Sequence, residues 1–363
     1  MTGKCVLVVA RDAGAASALA PVVRELLAHG PLQPQIVAYG KALAVFEAMS
    51  LPVFAFPEEP ELEEIDEFLD ASDAVAVLTG TSMRAELDGR FWAAAHAAGI
   101  PSVAVLDHWT NYAERFTVSA PFDRLPAVIA VMDEVAKRAL VERGCPADRL
   151  RVTGHPRFDA LPVAITPDLR ARARRELGCG ADRRVIVFAS EPQTRYYGNR
   201  HGYTEVGVAS VLLDATAAVA PDALVVFKLH PLEDVAGLWS EVRRRGIPEV
   251  RVLRSYPILE LAAASDVFSG MTSIVLLDAA VLGVPTLSVR PGGGQSDFLD
   301  AHADLIESVT SADGVPAALA RALESVRPRA PVDRLRRATR TVCDLLEALA
   351  GGGHSYADPA VGG

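Results

Sequence analysis

Ser265-Asp-Val-Phe-Ser269-Gly-Met-Thr272-Ser273-Ile-Val-Leu-Leu-Asp278 is the stretch whose reading decides the fold. Residues 267–269 make a short apolar strand, Gly270 turns the chain, and 273–282 has the spacing of a helix. A strand passing through one turn into a helix is the repeating unit of a parallel sheet. Phe227-Lys-Leu-His230-Pro231 has the same form. The strand 224–228 runs out at His230, and Pro231 opens a helix where a missing amide costs nothing.

Working outward, β-branched runs alternate with Ala/Leu/Arg stretches over most of the chain. Strands are predicted at 6–10, 35–38, 53–54, 74–78, 102–106 and 128–131, with helices at 15–29, 41–49, 83–98 and 133–143. Strands at 184–189, 224–228, 250–253, 267–269 and 286–289 form a second series, with helices at 167–177, 206–219, 232–245, 258–264, 273–282 and 317–325. Six strands and then five, interleaved with helices, predict two Rossmann-like α/β domains of parallel sheet facing a central cleft. The domains are expected at 1–160 and 161–331. A helix at 332–350 is expected to cross back to the first domain, and 351–363, without apolar periodicity, to be a disordered tail.

The chain of 363 residues is long enough for two such domains, and 50% hydrophobic residues suffice for their cores. A formal net charge of −10 argues against general affinity for nucleic acid or anionic membrane. The arginine-rich runs 170–175 and 243–245 read as solvated helix faces. Cys5, Cys145, Cys179 and Cys343 lie far apart, without zinc-site spacing, and read as buried thiols in a reducing compartment. No signal peptide or membrane-length apolar run is evident, so a cytoplasmic protein is expected.

Ligands of open parallel sheets sit beyond the carboxyl ends of the strands, so polar clusters there are candidates. Arg11-Asp-Ala-Gly-Ala-Ala-Ser follows the first strand, with Arg11, Asp12 and Gly14 facing either an anion or an acceptor; Asp12 as a plain helix cap is the alternative. Asp107-His-Trp-Thr-Asn-Tyr, with Arg115 behind it, offers His108 as a general base, with Asp12 as the alternative base, Asp107 to orient or compete with His108, and Asn111, Tyr112 and Arg115 as acceptor contacts. Gly154-His155-Pro-Arg157 is a rigid hinge or a binding segment. Arg157 and Arg195 present forked donors suited to phosphate, and Glu191 suits a sugar hydroxyl. Lys228, His230, Ser269, Thr272 and Ser273 surround a helix start able to cradle phosphate, and Asp278 is the residue type that holds a ribose diol. Taken alone, Thr272 is an ordinary helix cap.

At these residues the chain resembles the GT-B superfamily of nucleotide-sugar enzymes. Val152-Thr-Gly-His-Pro-Arg-Phe-Asp-Ala-Leu resembles the interdomain segment of the UDP-N-acetylglucosamine 2-epimerases and of lipid A disaccharide synthase. Lys228-Leu-His-Pro, Ala264-Ser-Asp-Val-Phe-Ser-Gly-Met-Thr-Ser and Leu282-Gly-Val-Pro-Thr-Leu resemble the donor-binding domain of those enzymes. They are also similar to segments of the CDP-glycerol glycerophosphotransferases and bacterial sialyltransferases. Thr272-Ser-Ile-Val-Leu-Leu-Asp278 stands where the epimerases carry Gly-Gly-x-x-Glu-Glu, and their paired catalytic acids are not recognisable in the N-terminal half.

The resemblance implies a glycosyltransferase moving a sugar or related group from a UDP-, CMP- or CDP-type donor, held by the C-terminal domain, to the hydroxyl of a small-molecule or glycan acceptor held by the N-terminal one. No DxD-like pair is placed for a metal, so metal-independent action without a cofactor is expected. An epimerase or hydrolase of the same fold, or a silent nucleotide-sugar-binding partner subunit, is the alternative, and a homodimer is left open.

Overall fold

The computed structural model describes residues 4–57, 60–83, 86–162, 164–230, 232–233, 237–238, 240, 242, 249–254, 256–292, 297–325 and 337–351. It divides into two units, Met1–Ala160 with Val332–Gly363, and Leu161–Pro331.

The first unit is built on seven parallel strands: β1 (Lys4–Ala10), β2 (Leu32–Ala38), β3 (Val53–Ala55), β4 (Ala74–Thr79), β5 (Ser102–Val105), β6 (Val128–Val131) and β7 (Leu150–Val152). Their order is β3-β2-β1-β4-β5-β6-β7. Helices α1 (Ala13–His29), α2 (Lys41–Ala48), α3 (Leu62–Ala71), α4 (Glu86–Ala97), α5 (Glu134–Glu142) and the single turn α6 (Pro156–Asp159) connect them. Helices cover both faces, so β1 is apolar on both. Val6, Val8 and Ala10 enter one core with Ala15, Leu19 and Val22 of α1, while Leu7 and Val9 enter another with Ile65, Leu69 and Phe91. Six strands were expected here. The seventh, β7, is an edge strand of three residues with two exposed, so its sequence carries no apolar run.

The second unit has six parallel strands: β8 (Val185–Ala189), β9 (Leu224–Lys228), β10 (Val250–Leu253), β11 (Val267–Gly270), β12 (Thr286–Val289) and β13 (Glu307–Val309), in the order β10-β9-β8-β11-β12-β13. Its helices include α7 (Pro167–Glu176), α8 (Gln193–Tyr197), α9 (Glu205–Val219), α10 (Ile258–Ala264), α11 (Val275–Val281) and α12 (Val315–Glu324). The edge strand β13, again three residues, is the one not expected. Pro231, most of the predicted helix 232–245 with its arginine run, and the predicted tail beyond 351 lie outside the described residues.

Helix α13 (Ala338–Ala350) belongs to the first unit. Val342, Cys343 and Leu346 pack into the core of α1, and the Asp159 carboxylate accepts the Arg337 and Thr339 amides at 2.7 Å each. The arginine run 170–175 is not simply a solvated face. Arg174 is buried and, with Arg170, clamps Asp266 and the carbonyls at the end of α10, because Asp266 also accepts the Val185 amide that starts β8. Cys145, Cys179 and Cys343 are buried and Cys5 is half-buried. No described helix is long and apolar enough to cross a membrane.

Candidate functional site

Each sheet changes direction at one place, between β1 and β4 in the first unit and between β8 and β11 in the second. Successive crossovers diverge there and leave a crevice beyond the carboxyl ends of the strands.

In the first unit the loop after β4 and the start of α1 nearly touch. A Cβ on Gly80 would stand 2.3 Å from the Cβ of Ala15, and one on Gly14 would stand 2.3 Å from Oδ2 of Asp107. Asp107 thus lies against the start of α1, where a ligand anion was expected. Its Oδ1 pairs with Arg115 at 2.5 Å and accepts the Thr81 hydroxyl at 2.8 Å. Arg115 also donates to the Thr81 carbonyl and hydroxyl. Both members of the pair are buried, so Arg115 holds Asp107 rather than an acceptor. Tyr112 is buried beneath Arg143, whose Cζ is 5.3 Å from the ring centroid. His155 is buried too. Its Nδ1 accepts the Arg157 amide, so Nε2 carries the proton and donates it to the Asp107 carbonyl at 3.1 Å. The Gly154-His-Pro segment is therefore a structural brace between β5 and α6.

What the cluster leaves accessible is narrower than the sequence suggested. His108 is half-buried with Nδ1 2.9 Å from the Thr110 hydroxyl, and Asn111 is exposed with φ of 56°. Burial, then the nearby Arg115, lowers the His108 pKa to about 4, so the ring is neutral near pH 7 but a weaker base than expected. Arg157, expected among the donor-binding residues, belongs to the first unit and lies within electrostatic reach of His108. Arg11 is exposed. Asp12 is half-buried at the head of α1 and makes no cap hydrogen bond, so the plain cap reading fails.

Three residues here were missed by the sequence reading. Asp88 of α4 is buried and accepts the Ser82 amide at 2.8 Å, and the Ser82 hydroxyl is buried beside it; the buried Tyr39 hydroxyl has no partner among the described residues. Burial raises the Asp88 pKa to about 7, opposed by Ser82 and assisted by the charges of Asp12 and Asp107. Three acids thus gather beyond the carboxyl ends of β1, β4 and β5, although 76 residues separate Asp12 from Asp88 and 19 separate Asp88 from Asp107. No local motif announces them.

In the second unit, Thr272 and Ser273 precede α11, which starts only at Val275. Their donors are therefore loop groups, and Glu191 takes the first of them. Its carboxylate accepts the Thr272 amide at 2.7 Å and the Thr272 hydroxyl at 2.9 Å. Burial pushes the Glu191 pKa up to about 7 against these bonds. Gln193 donates to the same hydroxyl at 3.0 Å. The Ser269 hydroxyl is buried and donates to the Val187 carbonyl on β8, which removes it from any ligand. Asp278 is buried inside α11, so it does not present a carboxylate for a ribose. Lys228 is half-buried and donates to the Leu229 and Arg254 carbonyls. His230 is half-buried. Its amide donates to Glu233 and its Nδ1 accepts the Leu232 amide, so Nε2 carries the ring proton. Glu233, also missed, accepts the Ser190 hydroxyl as well and ties the loops after β8 and β9 together. Arg195 is exposed on α8. Among the described residues no cluster of His, Cys, Asp and Glu is arranged to hold a metal ion.

Two Rossmann-ordered parallel sheets in one chain constitute the GT-B fold. Solved structures match it over nearly the whole length. A UDP-GlcNAc 2-epimerase from Neisseria meningitidis, determined with UDP-GlcNAc bound, is 16% identical, with 94% of this chain and 99% of that one covered and a TM-score of 0.69. The UDP-GlcNAc 2-epimerase of Methanocaldococcus jannaschii is 15% identical, with coverage of 94% and 99% and a TM-score of 0.69. A glycosyltransferase from Rickettsia africae is 10% identical, with 97% of each chain covered and a TM-score of 0.64. No protein-family model matches the chain, and no curated protein does.

Proposed function

We propose that the chain is a nucleotide-sugar enzyme, acting without a metal or organic cofactor, that transfers a sugar or related group to an acceptor hydroxyl. The observation that carries this is the placing of a polar cluster at the crevice of each sheet. The second unit's cluster is rich in donors suited to phosphate, and the first unit's in carboxylates suited to proton transfer. His230 Nε2–H, the Ser273 hydroxyl and Arg195 stabilise the departing phosphate, and Thr272 joins them when Glu191 yields its amide. The acceptor oxygen bonds to the anomeric carbon, the bond to the phosphate breaks with its electron pair, and the acceptor proton passes to a base. Asp12, whose carboxylate makes no cap hydrogen bond at the head of α1, takes that role.

A second reading, epimerisation or hydrolysis of the donor itself, is favoured by the gathering of Asp12, Asp88 and Asp107, since removing a proton from a sugar carbon needs a base backed by further proton carriers. The named relatives, two of them UDP-GlcNAc 2-epimerases, support it equally.

Thermal shift against UDP, CMP, CDP, GDP and TDP identifies the nucleotide, and proton NMR of UDP-GlcNAc with and without acceptor alcohols separates transfer from epimerisation. His230→Ala should weaken nucleotide binding by roughly ten- to a hundred-fold, the loss of one charge-assisted hydrogen bond. Asp12→Ala should leave binding within about threefold and lower turnover by roughly 10² to 10⁴. Unchanged nucleotide affinity in His230→Ala would place the donor site elsewhere. Turnover abolished by EDTA and restored by Mg²⁺ would refute the metal-free reading.

A further inference from the structure

Three of the seven tyrosines fall between residues 196 and 203, together with Arg200 and His201, and Arg195 immediately precedes them. Tyr203 is buried in the core of the second unit, but neither that core nor the phosphate contacts use Tyr196 and Tyr197. Tyr196 and Tyr197 are 56% and 42% exposed, side by side, where one scattered aromatic would need no explanation. The Tyr197 ring stacks on His201 with centroids 4.4 Å apart and planes 25° apart, Tyr196 meets Tyr197 edge-on at 6.3 Å, and His201 leans on Tyr203 at 5.8 Å. The segment is held: the Thr194 amide and hydroxyl both donate to Glu205 at the start of α9. One side chain joins it to the phosphate donors. Gln193 lies 3.0 Å from His201 Nδ1 through its Oε1 and 3.0 Å from the Thr272 hydroxyl through its Nε2. His201 Nδ1 and the Thr272 hydroxyl are therefore no more than about 8 Å apart, and the Tyr197 ring lies one stacking distance beyond His201. Beside Tyr203 a cavity of about 430 Å³, lined by Asn199, Gly202, Thr204 and Pro291, gives room for ring substituents. Arg195 and Arg200 are exposed and add local positive charge to a chain of net charge −10.

We propose that residues 193–203 form a ring-stacking subsite, with Tyr197 as its platform, for a ring attached to the phosphate bound beside Thr272. This rests on the nucleotide reading of the second unit. Stacking on an aromatic face is the shared chemistry of two sources, the nucleobase and the sugar.

The test is calorimetric titration of the full chain with pyrophosphate, UDP and UDP-GlcNAc, for the parent, Tyr197→Ala, Tyr197→Phe and Thr272→Val. Tyr197→Ala should lose roughly five- to a hundred-fold in affinity for a ligand that carries the stacked ring, Tyr197→Phe should keep it, and pyrophosphate should bind the parent and both Tyr197 variants alike. A loss already seen with UDP assigns the base; a loss confined to UDP-GlcNAc assigns the sugar. Equal affinity of Tyr197→Ala and parent for both nucleotides overturns the subsite, as does an equal loss with pyrophosphate. If the parent binds none of the three, or Thr272→Val is without effect on any, the nucleotide reading fails first and takes the subsite with it.

Discussion

Glu191 occupies donors that a phosphate would use, so ligand and side chain compete for the Thr272 amide. A neutral carboxyl is the weaker competitor. With its pKa raised to about 7 by burial, Glu191 should yield more readily at pH 6 than at pH 8. Nucleotide affinity is expected to rise as pH falls, by up to about tenfold per unit above 7, and Glu191→Gln should flatten the profile. UDP titrations at pH 6, 7 and 8 check this, and a flat profile for the parent removes Glu191 from the competition. Asp88 has the same direction of shift with a different consequence. Its carboxyl binds a proton in the folded state that it loses when unfolded above about pH 4. Its contribution to stability is therefore present below about pH 4 and is lost as pH rises through about 7. Asp88→Asn, which keeps an acceptor for Ser82, should flatten that slope and raise stability at pH 8 by roughly 1 to 4 kcal/mol, read from urea melts at pH 5 and 8. The sequence made the neighbourhood of Glu191 legible, because polar residues directly after an apolar strand stand out, whereas nothing local marked Asp88. Their roles were less legible. Whether Ser269 faces a ligand depends on Val187, 82 residues away, and whether Asp278 or Arg115 does depends on which way each side chain turns within a segment the sequence already marked.

Helix α1 reaches the crevice of the first sheet only because its first turns are small. Ala15 meets Gly80 at a separation that leaves no room for a second methyl, and that neighbour is the root of a side chain, unable to swing away. Gly80→Ala should therefore destabilise the first unit by about 1 to 3 kcal/mol, or push α1 outward with loss of the Asp107 contact. A chemical melt, together with the Trp92 and Trp109 fluorescence, distinguishes the two. An unchanged midpoint and spectrum would show that the loop moves freely. The longer elements could be read from sequence because parallel strands buried on both faces and helices with one apolar face have different periods. The elements not anticipated were short or polar. β7 and β13 have three residues each, α6 and α8 are one turn or little more, and α3 is rich in acidic residues around a narrow apolar stripe.

In the whole molecule the second unit is a contiguous segment, whereas the first is completed by α13. The two should report separately in calorimetry. Leu346→Ala, in the core shared by α13 and α1, is expected to lower one transition by about 2 to 5 kcal/mol and leave the other in place. A single transition shifting as one body would show that the units unfold together. The return of α13 also reverses the order in which the units can mature during translation. A domain ordinarily folds as it leaves the ribosome, the earlier one first. Here the seven-stranded sheet, although synthesised first, has one side of its core uncovered until residues 338–350 emerge, after the whole six-stranded unit has been made. The nascent chain therefore carries an unfinished first half through the synthesis of its second. It is that first half, with α1 bare of Val342 and Leu346, that a chaperone would meet.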